Sequence, residues 1–303
     1  VVLCSPCRWQ AQCDRCDVHL TLHRRRERLR CHHCGASRDS PEQCPNCGQS
    51  TLHPVGEGTQ RIEDTLQKAL PGVRILRLDS DNAGNAAGLA ADLARVRQGT
   101  IDVLVGTQLV AKGHDFPAVT LVCILNADSG LYSVDFRAAE RLYQQLTQVA
   151  GRAGRADRPG QVLVQTRYPE NVSFSRLVRH DFSGFVTAEL DQRRLARCPP
   201  FVRFALLRAE SLRPAAPLEF VSVAARVGHR RLAGQASQAV RLMDPVPSPM
   251  ERRAGRYRAQ LLVTSRAHTL LHRFLGDWLC DLERLKRGRS VRWSLDVDPI
   301  EMY

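Results

Sequence analysis

Eight of the eleven cysteines lie in the first fifty residues, as four C-x-x-C pairs: Cys4/Cys7, Cys13/Cys16, Cys31/Cys34 and Cys44/Cys47. Each pair is a two-thiolate clamp, and two clamps complete one tetrahedral zinc site. Four clamps therefore supply two sites. All-thiolate coordination leaves no open position, so such zinc is structural. A disulfide scaffold or a four-cysteine iron–sulfur site would use the same residue type. Four clamps in so short a stretch favour zinc. Spacing alone leaves the partnering open. The inner pairs are separated by 14 residues, close to a zinc-ribbon loop; sequential partnering of Cys4/7/13/16 and Cys31/34/44/47 is the alternative. Cys123, Cys198 and Cys280 are scattered and read as small apolar residues. His23, His32 and His33 are not needed as ligands beside eight thiolates.

A second chemistry-bearing string is QVAGRAGR, Gln148 to Arg155. Arg152 and Arg155 are three residues apart, which puts them on one side of a helical turn. The small residues Ala150, Gly151, Ala153 and Gly154 allow close backbone approach. Two guanidinium groups so placed suit one phosphate chain. Upstream, GTQLVAKGHDFP begins at Gly106, where the apolar run IDVLV ends. In open α/β sheets ligands sit beyond the carboxyl ends of strands. Gly106, Thr107 and Gln108 can offer N–H and hydroxyl groups to phosphate there. Lys112, Gly113, His114 and Asp115 form a polar loop beyond. Asp79 and Asp81 in RLDSD read as a polar turn.

These strings must be held by an alternating pattern of elements. Residues 58–70 and 86–98 read as helices, bounded by Pro71-Gly72 and Gly99. Residues 73–78, 101–105, 119–125 and 161–166 read as strands, and 138–150 as a helix. That order predicts a layered α/β domain. Residues 173–195 read as one connecting helix. Beyond Pro199-Pro200, strands at 203–211, 239–242, 257–264 and 291–297 interleave with helices at 215–227 and 268–285. This β-α-β-β-α-β order resembles an α+β split-βαβ module. Trp278 and Trp293 belong to its expected core. The expected division is residues 4–50, 51–199 and 200–303. The first segment is too short to bury an adequate core, so metal must staple it. Zinc contributes on the order of 10 kcal/mol to such modules.

The chain has 303 residues and a formal net charge of +13. Such an excess points to a polyanion, most simply nucleic acid. Lysine stands only at Lys68, Lys112 and Lys286, so arginine supplies 41 of the 44 basic residues. A GC-rich coding sequence accounts for the choice of arginine, not for the excess charge. Arg24, Arg25 and Arg26 lie between the inner cysteine pairs, and Arg252, Arg253, Arg256, Tyr257 and Arg258 form a second basic cluster. Both suit contact with single-stranded or forked DNA. No apolar stretch of about 20 residues is present, and the first residues have no signal-peptide pattern. A cytoplasmic protein with no membrane partner is expected, where thiols bind metal.

GTQLVAKGHDFP, ADSGLYSVDFRAAER (127–141) and QVAGRAGR together resemble motifs V to VI of superfamily 2 helicases. In detail the chain is similar to the PriA family of primosomal replication-restart helicases, which inserts an eight-cysteine, two-zinc region into its second motor lobe. The resemblance implies a RecA-like lobe 2, a two-zinc ribbon-like insertion and a C-terminal domain. It implies nested sites: Cys13, Cys16, Cys31 and Cys34 inside, Cys4, Cys7, Cys44 and Cys47 enclosing. It implies that Arg152 and Arg155 face the γ-phosphate of ATP, with Arg155 as arginine finger and Gln148 orienting the region. Gly106, Thr107, Gln108, Lys112 and Gly113 would couple nucleotide state to DNA. The whole protein would use ATP and Mg²⁺ to translocate 3′→5′ at stalled forks, with primosome proteins and single-stranded-DNA-binding protein as partners. The chain departs from the family at Arg8, usually Gly, and Asn126, often Asp. No G-x-x-x-x-G-K-[ST] phosphate loop occurs, so this chain alone is expected to be inactive as an ATPase. A non-catalytic zinc-ribbon adaptor that binds DNA or primosome proteins is the alternative.

Overall fold

The computed structural model describes residues 1–302 other than 24–27, 55–57, 79–85, 108–115, 117, 132, 134, 155–158, 234–238 and 286–290. The chain divides into two compact units, residues 1–56 with 192–303, and residues 57–191.

In the first unit the cysteine-rich segment is built from very short strands. β1 (Val2–Cys4) pairs antiparallel with β5 (Leu52–Pro54), so the two ends of the segment run side by side. Within this clasp β2 (Thr21–His23), β3 (Arg28–Arg30) and β4 (Ser37–Asp39) form an antiparallel sheet. Among the segment's described residues the buried aliphatic ones are Val2, Ala11, Leu20 and Leu29, packed around Cys13, Cys16 and Cys31.

The rest of that unit follows the order β10 (Arg203–Ser211), α6 (Ala216–Ala233), β11 (Val240–Leu242), β12 (Val246–Arg253), β13 (Arg256–Ser265), α7 (His268–Glu283) and β14 (Arg292–Val297). The intervening helices of the other unit are α1 to α5, given below. The strands pair antiparallel in the order β11-β13-β10-β14, and β12 also pairs with β13. Alternation on the strands points Ala205, Leu207, Ala209, Leu261 and Val263 at α6 and α7. Phe220, Ala224, Leu271 and Trp278 meet them from the helices. The Trp278 indole N–H donates to the Ala224 carbonyl at 3.1 Å, satisfying the polar atom of a fully buried ring. Trp293 is half-buried against the same core. The sequence reading has no strand at β12. Pro247 and Pro249 lie within it, and proline is confined to sheet edges and irregular pairings. The register with β13 shifts between Pro247 and Arg252.

In residues 57–191, α1 (Thr59–Ala69) and α2 (Ala86–Arg97) accompany β6 (Ile75–Leu78) and β7 (Val103–Gly106). β6 and β7 are parallel, with α2 as their crossover. β8 (Leu121–Ile124) and β9 (Gln161–Val164) form a second parallel pair, with α3 (Ala138–Ala150) between them in the chain. Leu78, Leu93 and Phe116 form one buried cluster, and Ala127, Leu142, Leu146 and Phe174 another. These are mixed α/β layers, as the alternating pattern predicts.

One expectation is corrected here. Residues 173–195 are not a single helix but α4 (Val172–Val178) and α5 (Phe182–Leu195). His180 has φ 54°, in the left-handed region, which breaks the helix. Asp181 then caps α5: its carboxylate accepts the Gly184 N–H at 2.8 Å and pairs with Arg176. A side chain at Gly184 would meet that carboxylate, its Cβ 2.2 Å from Oδ2. The Gly184 N–H, and then Arg176, hold the Asp181 carboxyl below its ordinary range. A carboxyl with a lowered folded pKa stabilises fully above its unfolded pKa, about 3.9. That contribution is lost as the pH falls through the lower folded value. Asp181→Ala is therefore expected to lower the urea midpoint at pH 7. The gap from the parent chain should close progressively in acid; a gap that is constant down to pH 2 would contradict the cap.

Candidate metal centres and arginine loop

The β1–β5 clasp and the small sheet inside it bring the eight thiols into two groups. Cys4, Cys7, Cys44 and Cys47 form one, and Cys13, Cys16, Cys31 and Cys34 the other; within each, all sulfurs lie within 4.8 Å of one another. Nearest sulfur pairs are 3.6 Å for Cys4–Cys47, 3.5 Å for Cys7–Cys44 and 3.7 Å for Cys13–Cys34. A disulfide needs about 2.05 Å, and all these cysteines are free. A tetrahedron with zinc–sulfur bonds of about 2.3 Å has edges of about 3.8 Å. The donor set and spacing suit one zinc ion per group. The nested grouping, and not the sequential one, is what the backbone brings together. His32 and His33 belong to neither group.

Three of the clamps share one local geometry. The residue after the second cysteine donates its N–H to the carbonyl of the first: Arg8 to Cys4 at 2.9 Å, Gly35 to Cys31 at 2.9 Å, Gly48 to Cys44 at 2.8 Å. Closing this turn needs positive φ, and the values are 58°, 74° and 72°. Glycine adopts that conformation freely; arginine does so at a cost of about 1 kcal/mol or more. Arg8 is thus a local strain in the outer clamp. Donors around the thiols favour the thiolate that metal requires. The Asn46 side chain, and then the Trp9 N–H, bring Cys7 down to about 6. The Ala36 N–H brings Cys34 down to about 7. Burial pushes Cys16 up to about 12, against a hydrogen bond from the Ala254 N–H.

In the other unit Gly106 and Thr107 are exposed at the carboxyl end of β7, with Gly106 beside Leu78 of β6. Gln148 is exposed on the last turn of α3, and Arg152 is half-buried just beyond it. Gln108, Lys112, Gly113, His114, Asp115 and Arg155 lie outside the described residues, as do Asp79 and Asp81. The ends of the loop that carries Arg155 are defined. A Cβ on Gly154 would sit 2.3 Å from the Gly160 nitrogen, and one on Gly160 2.2 Å from the Gly154 nitrogen. Gly154 also has φ 71° and donates its N–H to the Val119 carbonyl at 3.1 Å. The loop therefore leaves and returns through a backbone crossing that admits only glycine.

Two buried carboxylates that sequence reasoning passed over brace the segment from β8 to β9. Asp128 is buried and accepts the Thr166 hydroxyl and, at 2.9 Å, the Arg167 N–H, tying the ends of β8 and β9 together. Asp135 is buried, accepts the Arg137 N–H at 2.9 Å and pairs with Arg141 at 3.0 Å, fixing the first turn of α3. Their signal in the sequence is the pair of acidic residues seven apart in ADSGLYSVDF. Asn126 adopts φ 49°, a conformation that asparagine tolerates.

Of the basic residues, Arg24, Arg25 and Arg26 lie outside the described residues. Arg256 and Arg258 lie two apart on β13, on the sheet face away from α6 and α7. Both meet Glu210 of β10: Arg258 is its cross-strand partner, and Arg256 Nε lies 3.6 Å from Oε1. Burial, then the nearby Arg253, pushes Arg258 below its ordinary range.

Three family models match in order along the chain. Residues 13–38 match the PriA DNA helicase Cys-rich region domain, 55–157 the helicase conserved C-terminal domain and 194–300 the primosomal protein N C-terminal domain. The chain is 38% identical over 303 residues to the replication restart protein PriA of Haemophilus influenzae, covering 100% of this chain and 40% of that one. It is 37% identical over 301 residues to that of Bacillus subtilis, covering 99% and 37%. The chain belongs to the PriA family. Its matches correspond to the C-terminal part of PriA, and it spans 37–40% of the length of these relatives. The PriA Cys-rich region model covers the inner thiol group. The helicase model includes the exposed ends of β7 and α3 and the glycine that opens the arginine loop.

Two substitutions test this geometry. Arg8→Gly should relieve the left-handed strain and stabilise the cysteine-rich segment by about 1 kcal/mol, read as slower metal loss to a chelator. Gly160→Ala should destabilise residues 57–191 by more than about 1 kcal/mol, read as a lower urea midpoint. Tolerance of alanine at Gly160 would remove the crossing from the account.

Proposed function

We propose that this chain is the second motor lobe, two-zinc module and C-terminal domain of an ATP-dependent 3′→5′ DNA helicase that restarts replication at stalled forks. The observation that carries this reading is the conjunction of eight clamped thiols with a two-arginine loop. A structural zinc module alone has no use for QVAGRAGR. The proposed division is residues 4–50, 51–199 and 200–303, and the last domain is read as a split-βαβ module on its strand order.

In this reading Cys4, Cys7, Cys44 and Cys47 hold one structural zinc ion, and Cys13, Cys16, Cys31 and Cys34 the other. Zinc would supply cross-links in place of a hydrophobic core, with no coordination position left for catalysis. ATP and Mg²⁺ belong to the whole protein. Arg155 is the arginine finger, and Arg152 stands beside it; both would stabilise charge spreading over the transferring phosphoryl group. Gln148 orients that region from the end of α3. The carboxyl end of β7, with Gly106, Thr107, Gln108, Lys112 and Gly113, relays nucleotide state to the DNA strand. Arg24, Arg25, Arg26, Arg256 and Arg258 contact DNA phosphates, forked or single-stranded. Glu210 reduces what Arg256 and Arg258 contribute.

Primosome proteins and single-stranded-DNA-binding protein are the proposed partners, in the cytoplasm. No helix among the described residues is long and apolar enough to cross a membrane.

Arg155→Ala in the full-length protein should abolish DNA-dependent ATP hydrolysis, a loss of about 10³-fold or more, while DNA affinity stays unchanged. Lost DNA binding with normal turnover would contradict the assigned role. Elemental analysis of the chain purified without chelator should give two zinc ions per chain. Iron, or no metal, would overturn the zinc reading.

A further inference from the structure

The fourth clamp is unlike the other three. Its first cysteine is tied as they are: the Cys13 N–H donates to the Val18 carbonyl at 2.9 Å, matching Cys4 to Trp9, Cys31 to Ala36 and Cys44 to Gln49. The residue after its second cysteine is Asp17, which is not in the left-handed region. The Asp17 N–H does not close back on Cys13. It donates to the Arg252 carbonyl at 2.9 Å, on the hairpin that joins β12 to β13.

That hairpin is shaped for the purpose. Arg253 pairs with Arg256, and the two residues between them, Ala254 and Gly255, have φ 52° and 81°. Positive φ at both central residues is the type I′ pattern of tight hairpins. The tip meets the clamp residue by residue. The Arg252 N–H donates to the Asp17 carboxylate at 2.6 Å, and the Gly255 N–H to the Arg15 carbonyl at 2.7 Å. The Arg252 guanidinium donates to the Asp14 carbonyl. The Ala254 N–H donates to the Cys16 sulfur itself at 3.1 Å.

We propose that the Ala254-Gly255 hairpin completes the inner metal site, supplying from the C-terminal domain the amide donor to Cys16, beside the Arg15 N–H that the clamp itself gives to Cys13 at 3.4 Å. Metal binding and seating of that domain on the cysteine-rich module are then one coupled equilibrium. An amide donor to a metal thiolate disperses its charge and fixes the ligand's direction. Loss of such outer partners lowers metal affinity about 10- to 100-fold. By linkage the coupling is reciprocal, so an empty inner site loosens the hairpin by the same factor. Arg252, Ala254 and Gly255 act here as positioning residues for Cys16. The outer site, whose clamps are closed by Arg8 and Gly48, has no part in it.

The inference rests on the inner cluster being a zinc site, and the test separates the two. The whole chain is loaded with zinc and titrated with a chromogenic chelator; a Cys13→Ser/Cys34→Ser chain identifies the signal of the outer ion. Asp17→Ala alters the clamp side and Ala254→Pro removes the donor to Cys16. Both should weaken the inner ion by about 10- to 100-fold and leave the outer ion unchanged, with the near-ultraviolet signal of Trp278 native. Conversely, amide exchange of residues 252–256 should quicken in the Cys13→Ser/Cys34→Ser chain. Unchanged affinity of the inner ion in Asp17→Ala, which leaves the hairpin intact, together with unchanged exchange in the double-serine chain, would overturn the coupling while leaving zinc in place. Absence of zinc from the inner site of the parent chain would overturn both.

Discussion

Everything in the first fifty residues depends on thiolates held about 3.6 Å apart. Val2, Ala11, Leu20 and Leu29 are the buried aliphatic residues among those described in that segment, and their burial is far too small to order so much chain. Strands of three residues cannot stand alone either. The cross-links must come from the sulfur atoms. Four thiolates at that separation repel one another, and a cation at the centre of each group would offset that repulsion. Arg8 shows how firmly this constraint rules: the chain accepts a strained arginine sooner than open the outer clamp.

Much of this was legible beforehand, because clamp spacing and hydrophobic periodicity are local properties. Four C-x-x-C pairs announce two thiolate sites, and the runs at 101–105, 119–125 and 161–166 announce parallel strands. What was not legible is non-local or conformational. The choice between nested and sequential grouping is made by the pairing of Val2–Cys4 with Leu52–Pro54, and no spacing rule contains that pairing. β12 hides behind two prolines, acceptable only because it lies where the ladder is irregular. The break between α4 and α5 turns on His180 adopting a left-handed conformation, which composition does not reveal. The contact of Ala254 with Cys16 joins residues 238 apart.

The arginine loop follows a different logic from the metal sites. The close approach of the two backbones at its base depends on the absence of side chains. Gly154 and Gly160 bring two backbones into contact at the base of the loop, while Asp135 fixes the first turn of the helix that leads into it and Asp128 ties the ends of β8 and β9. Gly154, inside QVAGRAGR, and Gly160, beyond it, are each fixed as glycine by the other's backbone.

The β1–β5 clasp has a consequence for how such a module is inherited. Its first and last strands lie side by side, three residues each, with Val2 opposite Pro54. To a host fold, this whole metal-binding segment presents the footprint of an ordinary hairpin turn. A segment of that kind can be spliced into an existing loop without parting the elements on either side. Interior stretches away from the Asp14–Asp17 contact with the hairpin can then lengthen, shorten or change charge without moving the two strand ends.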